Sequence, residues 1–339
     1  MILSPLKQIS DDPSYILSLE REVIDKLTVH AFEQRKSRFG NYLECFAPMF
    51  DLAPYKIDTF TPSGIKRFAG ISITGDDCTL QCDHCKGYLL KGMQHASRST
   101  FVQVLSSLID GGASGFLISG GADKDGKVPI KGFIGTIKDL KKKENVRIVI
   151  HSGLLSRDEL HKLEDAGVDG IMFDLVGSES TLRDVCHLDA KPLDYYEMIS
   201  AAKEMGLPVM PHVVVGLDHG RITGEFEVLK VLKDNPPDAL VLVVLMPFPG
   251  TPMENVKPPA IEAVKRYALA SRLLLPGIPL VLGCARPQGI YKVELEKSVV
   301  SYGLNGIAYP VQETLDHAKE KGLRVRFHEE CCSLITRQV

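Results

Sequence analysis

The chain has 339 residues, 44% hydrophobic and 24% charged, and it carries a formal net charge of −3. This is an ordinary globular composition with no general affinity for nucleic acid, and the most apolar window, residues 239–248, is too short to span a bilayer. With no N-terminal signal pattern, we predict a cytoplasmic protein without nucleic-acid or membrane partners, whose eight cysteines serve metal or redox chemistry rather than disulfides.

Residues 1–65 predict an N-terminal helical arm. Asp12 is a helix-capping residue, and Pro13 suits the first helical position. Apolar residues follow at helical spacing until Gly40, which predicts the end of the helix. We interpret the aromatic-rich residues 42–60 as an irregular segment that packs, together with the helix, on the main domain.

Between residues 66 and 323, short β-branched runs alternate with stretches of helical periodicity. Strands that are apolar on both faces are typical of a parallel sheet covered by helices. The pattern predicts an α/β fold, a (β/α)₈ barrel of the TIM type, with a partial (β/α)₆ barrel as the alternative. Residues 324–339 form a C-terminal tail. The predicted strands are 68–74, 115–119, 146–150, 170–175, 209–215, 239–246, 279–282 and 306–309.

The first predicted strand leads directly into three closely spaced cysteines. Cys78, Cys82 and Cys85 follow the pattern C-x₃-C-x₂-C, and thiolates at this spacing can hold three corners of a [4Fe–4S] cluster. The next cysteine, Cys186, comes about a hundred residues later, so the pattern leaves one iron open for a cofactor or substrate. Active sites of parallel barrels lie at the carboxyl ends of the strands. That position favours a cluster over a zinc site or a set of structural thiols.

With this pattern directly after the first strand of a β/α barrel, residues 68–310 resemble the radical S-adenosylmethionine (SAM) superfamily. The resemblance implies that the open iron binds the amino and carboxylate groups of SAM. It also implies that SAM is cleaved to a 5′-deoxyadenosyl radical, which abstracts a hydrogen atom from the substrate. An electron donor such as ferredoxin or flavodoxin is implied as a partner.

The resemblance also implies SAM-binding groups at the ends of other strands. The second strand is followed by Gly120, Gly121 and Ala122, where the family commonly has Gly-Gly-Glu. Because Ala122 lacks a carboxylate, the resemblance implies only backbone contacts between this segment and SAM. The alternative is that the segment is a tight turn without a role in binding. Asp174 is a carboxylate near the end of the apolar fourth strand, which is costly without a polar partner. It fits the ribose-binding acceptor of the family.

Four further residues are SAM-binding candidates, two by similarity of position and two histidines by their expected place at the barrel mouth. Val215 lies in a fifth-strand segment that resembles the family motif packed on adenine, and Lys191 stands roughly where biotin synthase has an arginine on the SAM carboxylate. His151 and His212 are expected to point into the barrel mouth. A histidine satisfied in the core is the ordinary alternative for each.

The strand count and residues 213–217 favour the biotin-synthase-like branch, which includes methylornithine synthase and sulfur-inserting relatives. Biotin synthase holds a second cluster inside the barrel with a cysteine on the fifth strand, but this chain has Met210, Pro211 and His212 there. We predict instead a second [4Fe–4S] cluster near the chain ends, with buried structural thiols as the alternative. Its candidate ligands are Cys45, Cys284, Cys331 and Cys332.

Residues 85–89 and 283–287 resemble the two-component lipoyl synthases, in which two paralogous radical SAM subunits insert sulfur into a protein-bound octanoyl chain. The implied partners are an octanoylated lipoyl domain or H-protein and a paralogous radical SAM subunit. Two alternatives stay open: a radical SAM mutase or methylase without sulfur insertion, and a zinc-binding protein that is not an enzyme. The sequence identifies no residue that acts directly on the substrate.

Overall fold

The computed structural model describes residues 2–48 and 67–339. Two parts of the sequence prediction lie outside these residues: the boundary between arm and barrel after residue 65, and residues 49–60 of the aromatic-rich segment. Within the described ranges, no helix is both long and apolar enough to cross a membrane.

The strands of the described chain are short and all their ladders are parallel. Their bounds are β1 (Tyr42–Phe46), β2 (Phe68–Ser72), β3 (Gln94–His95), β4 (Gly115–Ser119), β5 (Arg147–His151), β6 (Gly170–Met172), β7 (His212–Val215), β8 (Leu240–Val244), β9 (Leu280–Leu282), β10 (Gly306–Ala308) and β11 (Arg324–His328).

Helices connect these strands and cover their outer faces. Their bounds are α1 (Leu3–Asp11), α2 (Arg21–Phe39), α3 (Phe101–Asp110), α4 (Ile134–Lys143), α5 (Arg157–Asp165), α6 (Glu179–Asp184), α7 (Pro192–Glu204), α8 (Glu225–Asp234), α9 (Ile261–Leu274), α10 (Ile290–Ser301) and α11 (Gln312–Glu320).

The eight predicted strands are all present, as β2 and β4 to β10, and they follow one another in the predicted order. One sheet has the order β3-β2-β4-β5-β6, and the other continues with β7-β8-β9-β10-β1-β11. Isolated parallel bridges, Ile171 with Val209 and Asp174 with His212, connect β6 to β7. The predicted α/β fold with parallel strands and covering helices is therefore confirmed.

The sheet differs from the prediction at its ends. Residues 42–46, predicted to be irregular, form β1, which pairs with β10 on one side and with β11 on the other. In the described part of the chain β10 has no pairing with β2, so the ladder of hydrogen bonds does not close on itself there. The prediction missed β1 because both of its neighbours come from the far end of the sequence.

The N-terminal arm contains more than the single helix predicted. Asp12 accepts a hydrogen bond from the Ser14 backbone N–H at 3.1 Å, and Pro13 begins a short 3₁₀ helix, Pro13–Ser18. A separate helix, α2, begins at Arg21 and ends at Gly40, whose φ of +72° suits glycine. The predicted start and stop are thus both present, with a break between them.

The interior of the barrel has its own apolar cluster, and the C-terminal tail fills part of it. Beyond β11, a 3₁₀ helix (Cys332–Arg337) contacts β1, β9 and β10, and its buried residues belong to the same apolar cluster as Phe68 and Val149. The tail also reaches the other sheet through ion pairs of Arg67 with Glu329, at 3.1 Å, and Arg147 with Glu330, at 2.6 Å. The tail therefore bridges the gap that strand pairing leaves open.

Candidate functional site

The three cysteines of the C-x₃-C-x₂-C pattern lie on one tight loop after β2. The backbone N–H groups of Cys85 and Lys86 both donate to the Cys82 carbonyl, at 3.2 and 2.9 Å. Burial, together with negative charge on Cys82 and Cys78, raises the pKa of the Cys85 thiol to about 12. Deprotonation of Cys85 at neutral pH therefore needs a nearby positive charge such as that of iron.

The loop after β4 supports the cysteine loop closely. The Gly121 N–H donates to Thr74 Oγ1 at 2.7 Å, and the Ala122 carbonyl accepts the Thr79 N–H at 2.8 Å. A Cβ atom at Gly121 would lie 1.9 Å from the Asp77 carbonyl oxygen and 2.5 Å from Cys78 Cα. The lack of a side chain at Gly121 thus allows the two backbones to meet. The Gly120–Gly121–Ala122 segment positions the cysteines, a role that the sequence prediction did not include.

A fourth cysteine, distant in sequence, lies against the loop. Cys186 follows α6, and Cys82 Sγ donates to the Cys186 carbonyl at 3.3 Å. Next to it, His187 Nε2 lies 3.0 Å from Asp83 Oδ1. The sequence prediction noted Cys186 only as too distant to contribute. The fold brings it to the loop because the segment after β6 crosses the mouth of the barrel.

Asp174 and three histidines lie at the same end of the strands. His151 Nε2 is 3.9 Å from Asp174 Oδ1, and the His151 and His212 ring centroids are 5.6 Å apart. Burial, together with charge on His151, lowers the pKa of His212 to about 4; burial also lowers the pKa of His84. His212 and His84 are therefore neutral at pH 7. Within the described structure, both have a buried Nδ1 atom without a hydrogen-bond partner.

Two further predicted SAM contacts differ in their exposure. Val215 is fully buried in the core shared with the helices, whereas Val214 packs against both this core and the cluster in the barrel interior. The contact of Val215 with adenine stays a prediction. Lys191 is exposed just before α7, where its backbone N–H donates to Asp194 Oδ2 at 2.7 Å.

Three of the four cysteines proposed for a second cluster share the barrel interior. Cys331 and Cys332 are buried there, and Cys284, just after β9, packs against the same apolar cluster. A hydrogen bond with Cys332 lowers the pKa of Cys331 to about 7, and Ser333 Oγ also donates to Cys331 Sγ at 3.1 Å. Cys45 lies instead in the outer core, among the side chains between strands and helices. The structure thus separates Cys45 from the other three.

A buried ion pair holds the turn that carries Cys284. The Arg286 guanidinium binds Glu296 Oε1 on α10, with Nε at 3.1 Å, and its Nη1 atom also donates to the Gly283 carbonyl at 2.5 Å. Glu296 in turn accepts hydrogen bonds from the Val311 N–H and the Thr314 hydroxyl. These hydrogen bonds connect the Arg286–Glu296 pair to the backbone that follows β9 and to the backbone that follows β10.

The site residues fit an iron–sulfur cluster better than a single metal ion. Among the residues that the structure describes, no three cysteine, histidine or carboxylate side chains are grouped so as to bind one ion together. A cube with one open iron requires something different, since each of three thiolates binds a different iron. Three thiols on one loop, seated against the backbone of Gly121, meet that requirement.

Comparison with known proteins agrees with this geometry. A family model described as the Radical SAM superfamily matches residues 72–246, slightly more than half of the chain. The solved structure of methylornithine synthase superposes with a TM-score of 0.63 at 16% identity, covering 94% of each chain. At that identity the similarity concerns the fold alone.

Curated relatives of similar sequence include two biotin synthases. The enzyme of Clostridium botulinum is 26% identical over 50% of this chain and 52% of its own length. The enzyme of Aromatoleum aromaticum is 26% identical over 74% of this chain and 77% of its own length. The chain spans about half the length of the first of these relatives. From the family match and the site geometry together, the chain belongs to the radical SAM superfamily, whose members bind a [4Fe–4S] cluster and SAM.

Proposed function

We propose that this radical SAM enzyme inserts sulfur into a protein-bound octanoyl chain, as one subunit of a two-component lipoyl synthase in the cytoplasm. In this proposal Cys78, Cys82 and Cys85 hold the cluster that binds SAM. When bound, the cluster and SAM supply a 5′-deoxyadenosyl radical that removes a hydrogen atom from an aliphatic carbon. The observation that carries the sulfur-insertion part is the presence of three thiols in the barrel interior, the buried Cys331 and Cys332 and the partly buried Cys284.

The chain's own residues would orient SAM around the open corner of the cluster. The half-exposed Asp174 carboxylate can accept hydrogen bonds from ribose hydroxyls, and His151 lies beside it. The unpartnered Nδ1 atom of His212 is a further polar group for a ligand. Gly120 and Ala122 contribute by their backbone, and the exposed Lys191 amine by its charge toward the SAM carboxylate.

Cys284, Cys331 and Cys332 would hold the second [4Fe–4S] cluster, the source of the inserted sulfur. Cys331 and Cys332 are buried in an apolar cluster and Cys284 packs against it, so water has limited access to a labile sulfide held there. The Ser333 hydroxyl and the low pKa of Cys331 favour the thiolate form that binds iron. Cys45 is excluded from this ligand set because it lies in the outer core.

The proposed partners follow from the same reaction. The substrate is an octanoylated lipoyl domain or H-protein, and a paralogous radical SAM subunit performs the other sulfur insertion. Ferredoxin or flavodoxin supplies the electron for SAM cleavage.

The function can be tested by anaerobic reconstitution and incubation with SAM, dithionite and an octanoyl-lysine peptide. We expect about eight irons per chain, as two cubes require, together with 5′-deoxyadenosine and a thiolated peptide. Replacing both Cys331 and Cys332 with alanine should halve the iron, abolish thiolation and leave SAM cleavage intact. Cys45→Ala is the matched control and should keep all the iron.

Two results would count against the proposal. An unchanged iron content after the double replacement would eliminate the second cluster at this position. Deoxyadenosine without a thiolated peptide would instead point to a radical SAM mutase or methylase.

A further inference from the structure

Two aromatic side chains from different loops stack on each other, and neither has a part in the proposed function. Tyr88 lies shortly after Cys85 in the loop that follows β2, and Phe248 lies in the loop that follows β8. Their ring centroids are 4.8 Å apart, and the ring planes are inclined by 23°. Aromatic pairs favour such a stacked arrangement. The contact therefore joins the two loops.

Tyr88 is fixed to the backbone that carries the cysteines. Its N–H donates to the Cys85 carbonyl at 2.7 Å, and it begins a short 3₁₀ helix, Tyr88–Gly92. On the same turn, the Lys91 Nζ atom lies 5.7 Å from the centroid of the Tyr88 ring, within the range of a cation–π contact. The ring therefore keeps a fixed relation to the cysteine loop.

Phe248 is held by a tight turn after β8. Its carbonyl accepts a hydrogen bond from the Thr251 hydroxyl at 2.8 Å, and the Gly250 N–H donates to Glu254 Oε2 at 2.8 Å. A proline precedes Phe248 and another follows it, and both restrict the backbone at this point. Phe248 itself is buried. Both partners of the stack thus lie in turns with a fixed backbone.

The stack crosses the mouth of the barrel. In the described sheets β4, β5, β6 and β7 lie between β2 and β8 on one side, and β9, β10, β1, β11 and β3 lie between them on the other. The loops that follow β2 and β8 therefore start from opposite sides of the mouth. His151 and Asp174, at or just beyond the ends of β5 and β6, lie on the first side, and Cys284, after β9, lies on the second. The stack runs between these two groups, close to the cysteine loop.

We propose that the Tyr88–Phe248 stack is a size-selective gate at the SAM-binding cluster, which admits a slender chain and keeps bulkier molecules away from the iron. A bridge of two rings divides the mouth into narrower openings on either side. An unbranched aliphatic chain can pass beside this bridge, whereas a wide and rigid molecule needs the two rings to separate. Tyr88 and Phe248 are then specificity-determining residues. This inference rests on the proposal that Cys78, Cys82 and Cys85 hold the cluster.

The test measures how fast two iron chelators, the small bipyridine and the bulkier bathophenanthroline disulfonate, remove the cluster from reconstituted protein. The SAM-binding cluster is followed by electron paramagnetic resonance (EPR), as the signal that changes when SAM is added. We expect Tyr88→Ala and Phe248→Ala each to speed removal by the bulky chelator roughly two- to tenfold, as the loss of one aromatic stack predicts. Removal by the small chelator should change less, because that molecule already passes beside the rings.

Three control variants separate a gate from a general loss of stability. Tyr88→Phe keeps the ring and should keep the wild-type ratio of the two rates. The double variant Tyr88→Ala/Phe248→Ala should behave like either single variant, since both changes remove the same contact. Phe133→Ala removes an aromatic pair with the same centroid distance, 4.8 Å to Phe101, between α3 and the segment before α4. It should leave the ratio of the two rates unchanged.

Several outcomes would overturn the inference. Unchanged rates in Tyr88→Ala and Phe248→Ala mean that the stack does not limit access to the cluster. An equal acceleration of both chelators means that the changes loosen the cysteine loop instead of opening a gate. A wild-type protein without a SAM-sensitive signal would also remove the proposed cluster ligands, whereas the first two outcomes leave those ligands standing.

Discussion

Gly121 shows how a single missing side chain shapes the candidate site. Replacing it with alanine would place a Cβ atom 1.9 Å from the Asp77 carbonyl oxygen and 2.5 Å from Cys78 Cα. Both obstacles are backbone atoms, so the cysteine loop must move away from β4. We expect Gly121→Ala to reconstitute with markedly less iron at the SAM-binding cluster, measured as iron per chain and as loss of the SAM-sensitive EPR signal.

Gly135→Ala is the matched control for this change. Gly135 lies in α4, and a Cβ atom there would meet nothing within 4 Å. Alanine also has a higher helix propensity than glycine. Equal iron content in the Gly121 and Gly135 variants would contradict the role of Gly121 in letting the cysteine loop pack against the loop after β4.

His212 predicts a pH dependence of stability. Its pKa is about 4 in the folded protein, because of burial and the neighbouring His151, and about 6.5 in an unfolded chain. Between these values the unfolded state binds more protons, so the free energy of unfolding falls as the pH drops from 7 to 5. The His212 contribution to this fall is about 2 kcal/mol.

Denaturant unfolding of the cluster-free wild type and His212→Asn at pH 7 and pH 5 measures this contribution. The variant should lose about 2 kcal/mol less stability over the interval than the wild type does. The effect of His84, whose pKa burial also lowers, is present in both proteins and cancels. Equal losses in the two proteins would show that His212 is not buried in its neutral form.

At this scale the sequence predicted residue types better than residue contacts. Cys78, Cys82 and Cys85 could be recognised because their spacing is local. Cys186 could not, since its contact with Cys82 spans 104 positions and depends on the path of the chain after β6. The side chains of β7 that face the barrel interior could not be predicted either, because a strand buried on both faces shows no alternation of polar and apolar residues.

Among the elements, the turn after β9 depends on the buried pair of Arg286 and Glu296. Removing one partner leaves an unpaired buried charge, which typically costs 3–5 kcal/mol. We expect Arg286→Met to lower the free energy of unfolding by about 3–5 kcal/mol, measured by denaturant unfolding. The second variant, Arg157→Met, breaks an exposed pair with Glu204 and should change stability little. Similar losses in the two variants would contradict a special role for the buried pair.

The elements themselves were largely predictable. Strands β2 and β4 to β10 carry β-branched runs that are legible in the sequence, and helices such as α5 have clear starts, with Ser156 and Glu159 forming a capping box. β1 was missed because its five residues follow a helix and resemble a loop. Its identity as a strand comes from β10 and β11, and distant partners leave no local signal.

In the whole molecule, we expect the central strands of the sheet to resist local opening more than the edge strand does. β8 lies between β7 and β9 and all five of its residues are buried, whereas β11 has one strand neighbour in the described structure and is partly exposed. Amide hydrogens exchange through local opening, which is easiest where burial and pairing are least. By hydrogen-exchange mass spectrometry, we expect peptides covering 240–244 to exchange at least about tenfold more slowly than those covering 324–328. Equal exchange rates would contradict this expectation and show that the tail protects β11 as well as two strand neighbours protect β8.

The position of β1 between β10 and β11 also sets an order of events during synthesis. Residues 42–46 leave the ribosome early, but their two neighbours in the sheet, residues 306–308 and 324–328, are made some 260 to 280 positions later. The tail residues that fill part of the barrel interior are synthesised later still. The protein is therefore assembled from its middle outward: β2 to β9 can form while the nascent chain grows, and β1 waits for the last strands. Until that step, the barrel interior around Cys284 is not yet filled by the tail, so the second cluster of the proposed function could receive its iron and sulfide before the fold closes.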